Sequence, residues 1–88
     1  MSDPDRHAAA RAALAEASRE LGREPDDFAV VEVMRRRHPI SKEPYYSVVL
    51  VPSEGTRLRY SVFDHGGRVV KLWRGGGSLI WPERFAHE

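Results

Sequence analysis

Two strand-like runs flank a pair of glycines in the second half of the chain. Residues 60–63 and 68–73 are rich in β-branched and aromatic residues, and Asp64-His65-Gly66-Gly67 lies between them. Adjacent glycines accept the positive φ angles that a tight reversal requires. The segment therefore predicts an antiparallel hairpin, which limits the chain to folds that contain a β-sheet.

The rest of the chain supplies one helix and further strands. Seven of the ten residues from Ala8 to Ala17 are alanine. With Pro4 at its start and Gly22 after its end, this segment predicts a helix at about residues 4–21. Alternating or β-branched runs predict strands at about residues 28–37, 45–51, 57–63 and 68–74. Residues 78–81 are either a short fifth strand or part of a tail, and residues 82–88 are predicted to be a loose tail.

These elements predict a single α+β domain over residues 1–88. The helix packs on one face of a four- or five-stranded antiparallel β-sheet, arranged as a meander. Periodicity predicts inward-facing side chains at Ala10, Leu14, Ala17 and Leu21 on the helix. On the third and fourth strands, alternation predicts inward-facing Leu58, Tyr60, Val62, Val70 and Leu72, with Val69, Lys71 and Trp73 outward. Leu14, Leu21, Leu58, Tyr60, Val62 and Leu72 should share one core.

The composition argues against several classes of function. The chain has no cysteine, and its four histidines are scattered without the spacing of a metal site. The glycine run at residues 75–77 is followed by Ser78-Leu79, and not by the lysine and then serine or threonine of a phosphate loop. We therefore expect neither a metal nor a cofactor, and no enzyme activity. No apolar run has the length of a membrane span, so the cytoplasm is the expected location.

The sheet face away from the helix is the predicted partner-binding site, since one helix cannot cover both faces. Its expected residues are Trp73, Arg57, Arg59 and Lys71, with Tyr46 or Tyr45. Tryptophan and arginine together are typical of protein interface centres, and also of platforms that stack single-stranded nucleic acid. The glycine-flanked aromatic signature of the common RNA-binding sheet is missing, which favours a protein partner. A simpler alternative is that Trp73 packs under residues 79–81.

Arg35-Arg36-Arg37 is a secondary basic patch. It is either a solvated strand end that discourages edge-to-edge pairing or an anchor for a phosphate backbone or an acidic partner. A homodimer through the sheet is a further alternative. A third class of function would be a small enzyme or ligand carrier with a pocket between helix and sheet.

Two strand patterns resemble those of the PepSY domain. They are Tyr46-Ser47-Val48-Val49-Leu50 and the segment from Tyr60 to Val69, with its Tyr-x-Val-x-Asp-x-x-Gly pattern. The resemblance covers about residues 8–74. It implies a small α+β module that inhibits or regulates a partner protein and has no catalytic residues. The expected function is a non-enzymatic, protein-binding module of the immunity, antitoxin-like or biosynthetic accessory type.

Overall fold

The fold is one helix packed on one face of an antiparallel sheet. The structure is a computed structural model and describes residues 4–65, 68–75 and 78–80. It contains helix α1 (Pro4–Leu21), a 3₁₀ turn (Pro25–Asp27) and strands β1 (Phe28–Arg37), β2 (Pro44–Pro52), β3 (Leu58–His65), β4 (Arg68–Arg74) and β5 (Ser78–Ile80). The strands lie side by side in chain order, each antiparallel to its neighbours. The predicted α+β class and meander are confirmed. The predicted tail and Gly66-Gly67 lie outside the described residues.

Helix α1 meets the sheet with its smallest side chains. Ala9, Ala13 and Ala17 have no exposed surface, and Ala8, Ala12 and Glu16 are also buried. Of the predicted stripe, Ala17 is fully buried and Leu14 packs at the margin of the core, but Leu21 is 42% exposed, so the buried face is rotated from the predicted one. An alanine face lets the helix approach a sheet whose own side chains are large. Within the described residues, no helix has the length and apolarity to cross a membrane.

Gly22 ends the helix in the predicted left-handed conformation, with φ 65°. The amide of Arg23 donates to the carbonyl of Ser18 at 3.1 Å, which is the closing hydrogen bond of a Schellman cap. The hydroxyl of Ser18 also donates to the carbonyl of Arg23. These bonds reverse the chain and direct it toward β1.

The core lies between α1 and the sheet. Its largest fully buried side chains come from the three central strands: Tyr60, Leu50, Leu72, Val48 and Val62. Phe28 and Tyr46 complete the cluster, and four partly buried residues pack at its margin: Leu14, Val33, Leu58 and Val69. The predicted inward set on β3 is therefore present, because the alternation along that strand is regular.

A β-bulge corrects the predicted facing of β4. Phe63 pairs with Lys71, but the next residue, Asp64, pairs with Val69, so Val70 has no partner on β3. One extra residue inverts the alternation beyond it. Val69, predicted to face outward, consequently packs against the core. A second irregularity interrupts the pairing of β1 with β2 at Val31.

Two leucines offer a matched test of this core. Leu72→Ala should lower the free energy of unfolding by about 2–5 kcal/mol, because Leu72 is fully buried. Leu21→Ala removes the same atoms from a side chain that is 42% exposed. It should change stability by less than about 0.5 kcal/mol. Urea unfolding followed by circular dichroism measures both, and equal losses would contradict the burial described here.

Candidate functional site

The face of the sheet turned away from α1 is built by alternate residues of neighbouring strands. Register places Ser47 opposite Ser61, and Ser61 opposite Trp73. The next row is formed by Arg36, Tyr45, Phe63 and Lys71, and the row on the other side by Glu32, Val49 and Arg59. A row with two serines at its centre lies between rows of larger side chains.

A groove opens on this face where the serine row lies. Its volume is about 560 Å³, and its walls include Ser61, Tyr45, Phe63 and Trp73. Serine is short, so the aromatic rings of the adjacent positions stand above it. The sequence feature behind the groove is therefore Ser61, a short side chain on β3 between larger neighbours.

Aromatic and charged groups contact each other along one wall of the groove. The rings of Tyr45 and Phe63 lie 5.1 Å apart between centroids, at an interplanar angle of 30°. The ammonium of Lys71 lies 5.1 Å from the centroid of Phe63. Its Nζ also donates to Oε1 of Glu43 at 2.9 Å. The Glu43 carboxylate offsets part of the positive charge of this wall.

The loop between β1 and β2 holds Glu43 in place. Its hydrogen bonds are local: Nδ1 of His38 accepts from the amides of Ile40 and Ser41 at 3.2 Å each. The amide of His38 donates to the carbonyl of Glu43 at 2.9 Å. His38 and Ser41 also line the groove. Sequence reasoning missed these three residues, because two prolines identified the segment only as a loop.

Three of the predicted site residues lie together on this face. Lys71 and Trp73 line the groove, and Arg59 is exposed in the neighbouring row, opposite Val49. Arg57 is exposed just before β3 begins. Phe63 was not predicted, although it continues the outward parity of residues 59 and 61.

Tyr46 does not lie on this face. It pairs with Val62, is 3% exposed and belongs to the core on the helix side. Its neighbour Tyr45, the alternative in the sequence interpretation, occupies the outward position. Trp73 pairs through its backbone with Leu79 of β5. Trp81 lies outside the described residues.

The three consecutive arginines do not form one patch. Arg35 places its guanidinium 5.9 Å from the ring centroid of the buried Tyr46, and Arg37 donates to the carbonyl of Lys42 at 3.1 Å. Arg36 alternates to the other face, opposite Tyr45, and is exposed. Strand alternation thus places Arg36 on one face of the sheet and Arg35 and Arg37 on the other.

A polar cluster of Tyr60, Glu20 and Arg74 lies on the helix side of the sheet. Tyr60 is fully buried, and its hydroxyl has no hydrogen-bond partner among the described residues. Burial, together with the negative charge of Glu20, raises the pKa of Tyr60 to about 12. Glu20 forms an ion pair with Arg74, which tethers α1 to β4. This cluster fastens the helix to the sheet.

Comparisons with protein-family models, with curated proteins and with solved structures find no match to this chain. Across residues 4–65, 68–75 and 78–80, no three histidine, aspartate or glutamate side chains are grouped so that they could hold a metal ion. What the face offers is an open groove with aromatic walls and exposed arginines near it.

The substitution Tyr60→Phe tests the burial of the Tyr60 hydroxyl. Near neutral pH the variant should be at least as stable as the wild type, because it removes a buried hydroxyl that lacks a partner. A pKa raised on folding means that the wild type loses stability as tyrosine ionises, between about pH 10 and pH 12. The variant lacks this loss. Urea unfolding at several pH values measures the free energy of unfolding of both proteins. If the wild type lost no stability relative to the variant through that range, the burial of Tyr60 would be contradicted.

Proposed function

We propose that the protein is a small non-enzymatic binding module that modulates or inhibits a partner protein through the sheet face away from α1. The observation that carries the proposal is the groove walled by Tyr45, Phe63 and Trp73, with Arg57 and Arg59 exposed nearby. Protein interface centres are enriched in tryptophan, tyrosine and arginine. A concave, aromatic surface of this kind suits a projecting apolar side chain of a partner.

The charges nearby favour a particular kind of partner surface. Arg57 and Arg59 are exposed and have no ion-pair partner within the described part of the chain. Lys71, inside the groove, is instead paired with Glu43. An apolar or aromatic side chain surrounded by acidic residues would match this pattern, because its carboxylates would meet the exposed guanidinium groups.

The resemblance to the PepSY domain supports the same proposal, since it implies a regulator or inhibitor of another protein. Immunity, antitoxin-like and biosynthetic accessory proteins are the types that fit. We propose the cytoplasm as the location, where a chain without cysteine loses nothing from the lack of disulfides.

Single-stranded nucleic acid is the second candidate for the same face. Tyr45 and Trp73 are half-buried and line the groove, so their rings are a surface on which a base could stack. Glu43 argues against it, because its carboxylate beside Lys71 would repel a phosphate backbone. The third class of function, a small enzyme or ligand carrier, would use a pocket between the helix and the sheet. The groove described here lies on the opposite face of the sheet.

The proposal predicts that partner capture depends on Trp73 and Arg59. Proteins of the source cell that bind the immobilised wild type are identified, and their affinity is measured for the double variant Trp73→Ala/Arg59→Glu. Loss of two central interface side chains should weaken binding by roughly thirtyfold or more. Arg11→Glu, an equivalent charge change on the exposed side of α1, is the control and should bind like the wild type.

Two further measurements separate the alternatives. Thermal unfolding of the double variant should match the wild type; a variant that unfolds would place Trp73 among the stabilising residues instead. Titration with a labelled single-stranded oligonucleotide at low and high salt tests the second candidate. Tight, salt-dependent binding lost in the same variant would favour nucleic acid over protein. A double variant that captures its protein partner normally would contradict the proposed site.

A further inference from the structure

Strand β1 forms one edge of the sheet, and its outer side has no neighbouring strand among the described residues. It is ten residues long. Three of its apolar side chains are substantially exposed: Val30 (41%), Val31 (50%) and Met34 (43%). A long edge with exposed apolar residues is a ready template for another strand, and proteins usually shorten or cover such an edge.

The irregularity at Val31 limits which part of β1 can pair regularly. Val30 pairs with Leu50 and Glu32 with Val49, so Val31 has no partner on β2. From Glu32 to Arg37, the pairing with β2 is continuous. These six residues therefore form the regular part of the free edge.

Two opposite charges flank Met34 symmetrically in this segment. Glu32 and Arg36 lie two residues on either side of Met34 and share its face of the sheet, away from α1. Neither Glu32 nor Arg36 has an ion-pair or hydrogen-bond partner in the described part of the chain. By contrast, Arg35 and Arg37 already contact their own chain. An acidic and a basic side chain thus remain available at equal distances from one apolar residue.

We infer that the partner of this edge is a second copy of the chain, paired antiparallel through β1 about a two-fold axis at Met34. In that register Glu32 of each copy lies opposite Arg36 of the other. The two Met34 side chains meet at the axis, and Arg35 of each copy lies opposite Val33 of the other. Opposite charges directly across an antiparallel pair stabilise it. An isologous contact of this kind is the commonest route to a dimer.

Neighbouring symmetric registers lack this complementarity. An axis at Val33 sets Glu32 against methionine, and an axis at Arg35 sets two guanidinium groups against each other. The register at Met34 places no arginine opposite another arginine within the regular segment. A perpendicular two-fold axis also leaves both α1 helices on one side of a continuous sheet and both grooves on the other.

Charge exchange tests the register. In a wild-type dimer, Glu32→Arg or Arg36→Glu converts two attractive pairs into two repulsive pairs, so each single variant should raise the dimer dissociation constant by roughly tenfold or more. The double variant Glu32→Arg/Arg36→Glu should restore the wild-type value. A mixture of the two single variants should form a heterodimer, because each then meets its opposite charge. Arg68→Glu, an exposed residue of β4, is the control and should have no effect.

Sedimentation equilibrium and native mass spectrometry supply these constants, with circular dichroism confirming that each variant is folded. A wild type that stays monomeric up to millimolar concentration would overturn the inference. So would single variants that dimerise like the wild type, or a double variant that does not recover.

A cysteine at the axis provides an independent measurement. The chain has no cysteine, so Met34→Cys carries a single thiol. Directly opposite residues in an antiparallel pair have Cα atoms about 4.5–5.5 Å apart, a separation that a disulfide can bridge. Mild oxidation should link the Met34→Cys variant into a covalent dimer, whereas Arg68→Cys should remain mostly monomeric. Equal cross-linking of the two variants would contradict the two-fold axis at Met34.

Discussion

The close contact between the alanine face of α1 and the large side chains of the sheet determines the rest of the structure. Ala9, Ala13 and Ala17 are fully buried against a core whose volume comes from Tyr60, Leu50 and Leu72. A helix with large inward side chains would sit farther from the sheet and would leave voids or strain around the tyrosine ring. The sheet supplies most of the side-chain volume of the core, and the helix shields that core from solvent. In this way the short chain forms one core.

The other face of the sheet has to be stabilised without the helix. Phe63 and Val49 are buried there, at 5% and 3% exposure, and Tyr45 packs on Phe63. Lys71 and Glu43 then bridge β4 to the loop before β2. The same contacts shape the groove around Ser61, so the features that stabilise this face also make it suitable for a partner.

The sequence predicted the elements and one face of β3, because regular alternation and strong end signals, such as Gly22, are local. It did not predict the inward position of Val69, since a bulge at Val70 inverts the alternation without any mark in composition. The rotation of α1 was also missed: seven alanines in ten residues offer several equivalent apolar stripes. Tyr46 could not be separated from Tyr45 because β2 is apolar on both faces. The contact of Glu43 with Lys71 joins residues 28 positions apart in the chain, so no local pattern predicts it.

The most direct test of the account is the substitution of leucine for alanine on two sides of α1. Ala13 is fully buried against the sheet and Ala15 is exposed, so the pair differs in environment but little in helix propensity. Ala13→Leu should destabilise the fold by about 1–3 kcal/mol through overpacking, while Ala15→Leu should leave the free energy of unfolding nearly unchanged. Equal effects of the two substitutions, measured by urea unfolding, would contradict a helix that lies against the sheet through its alanine face.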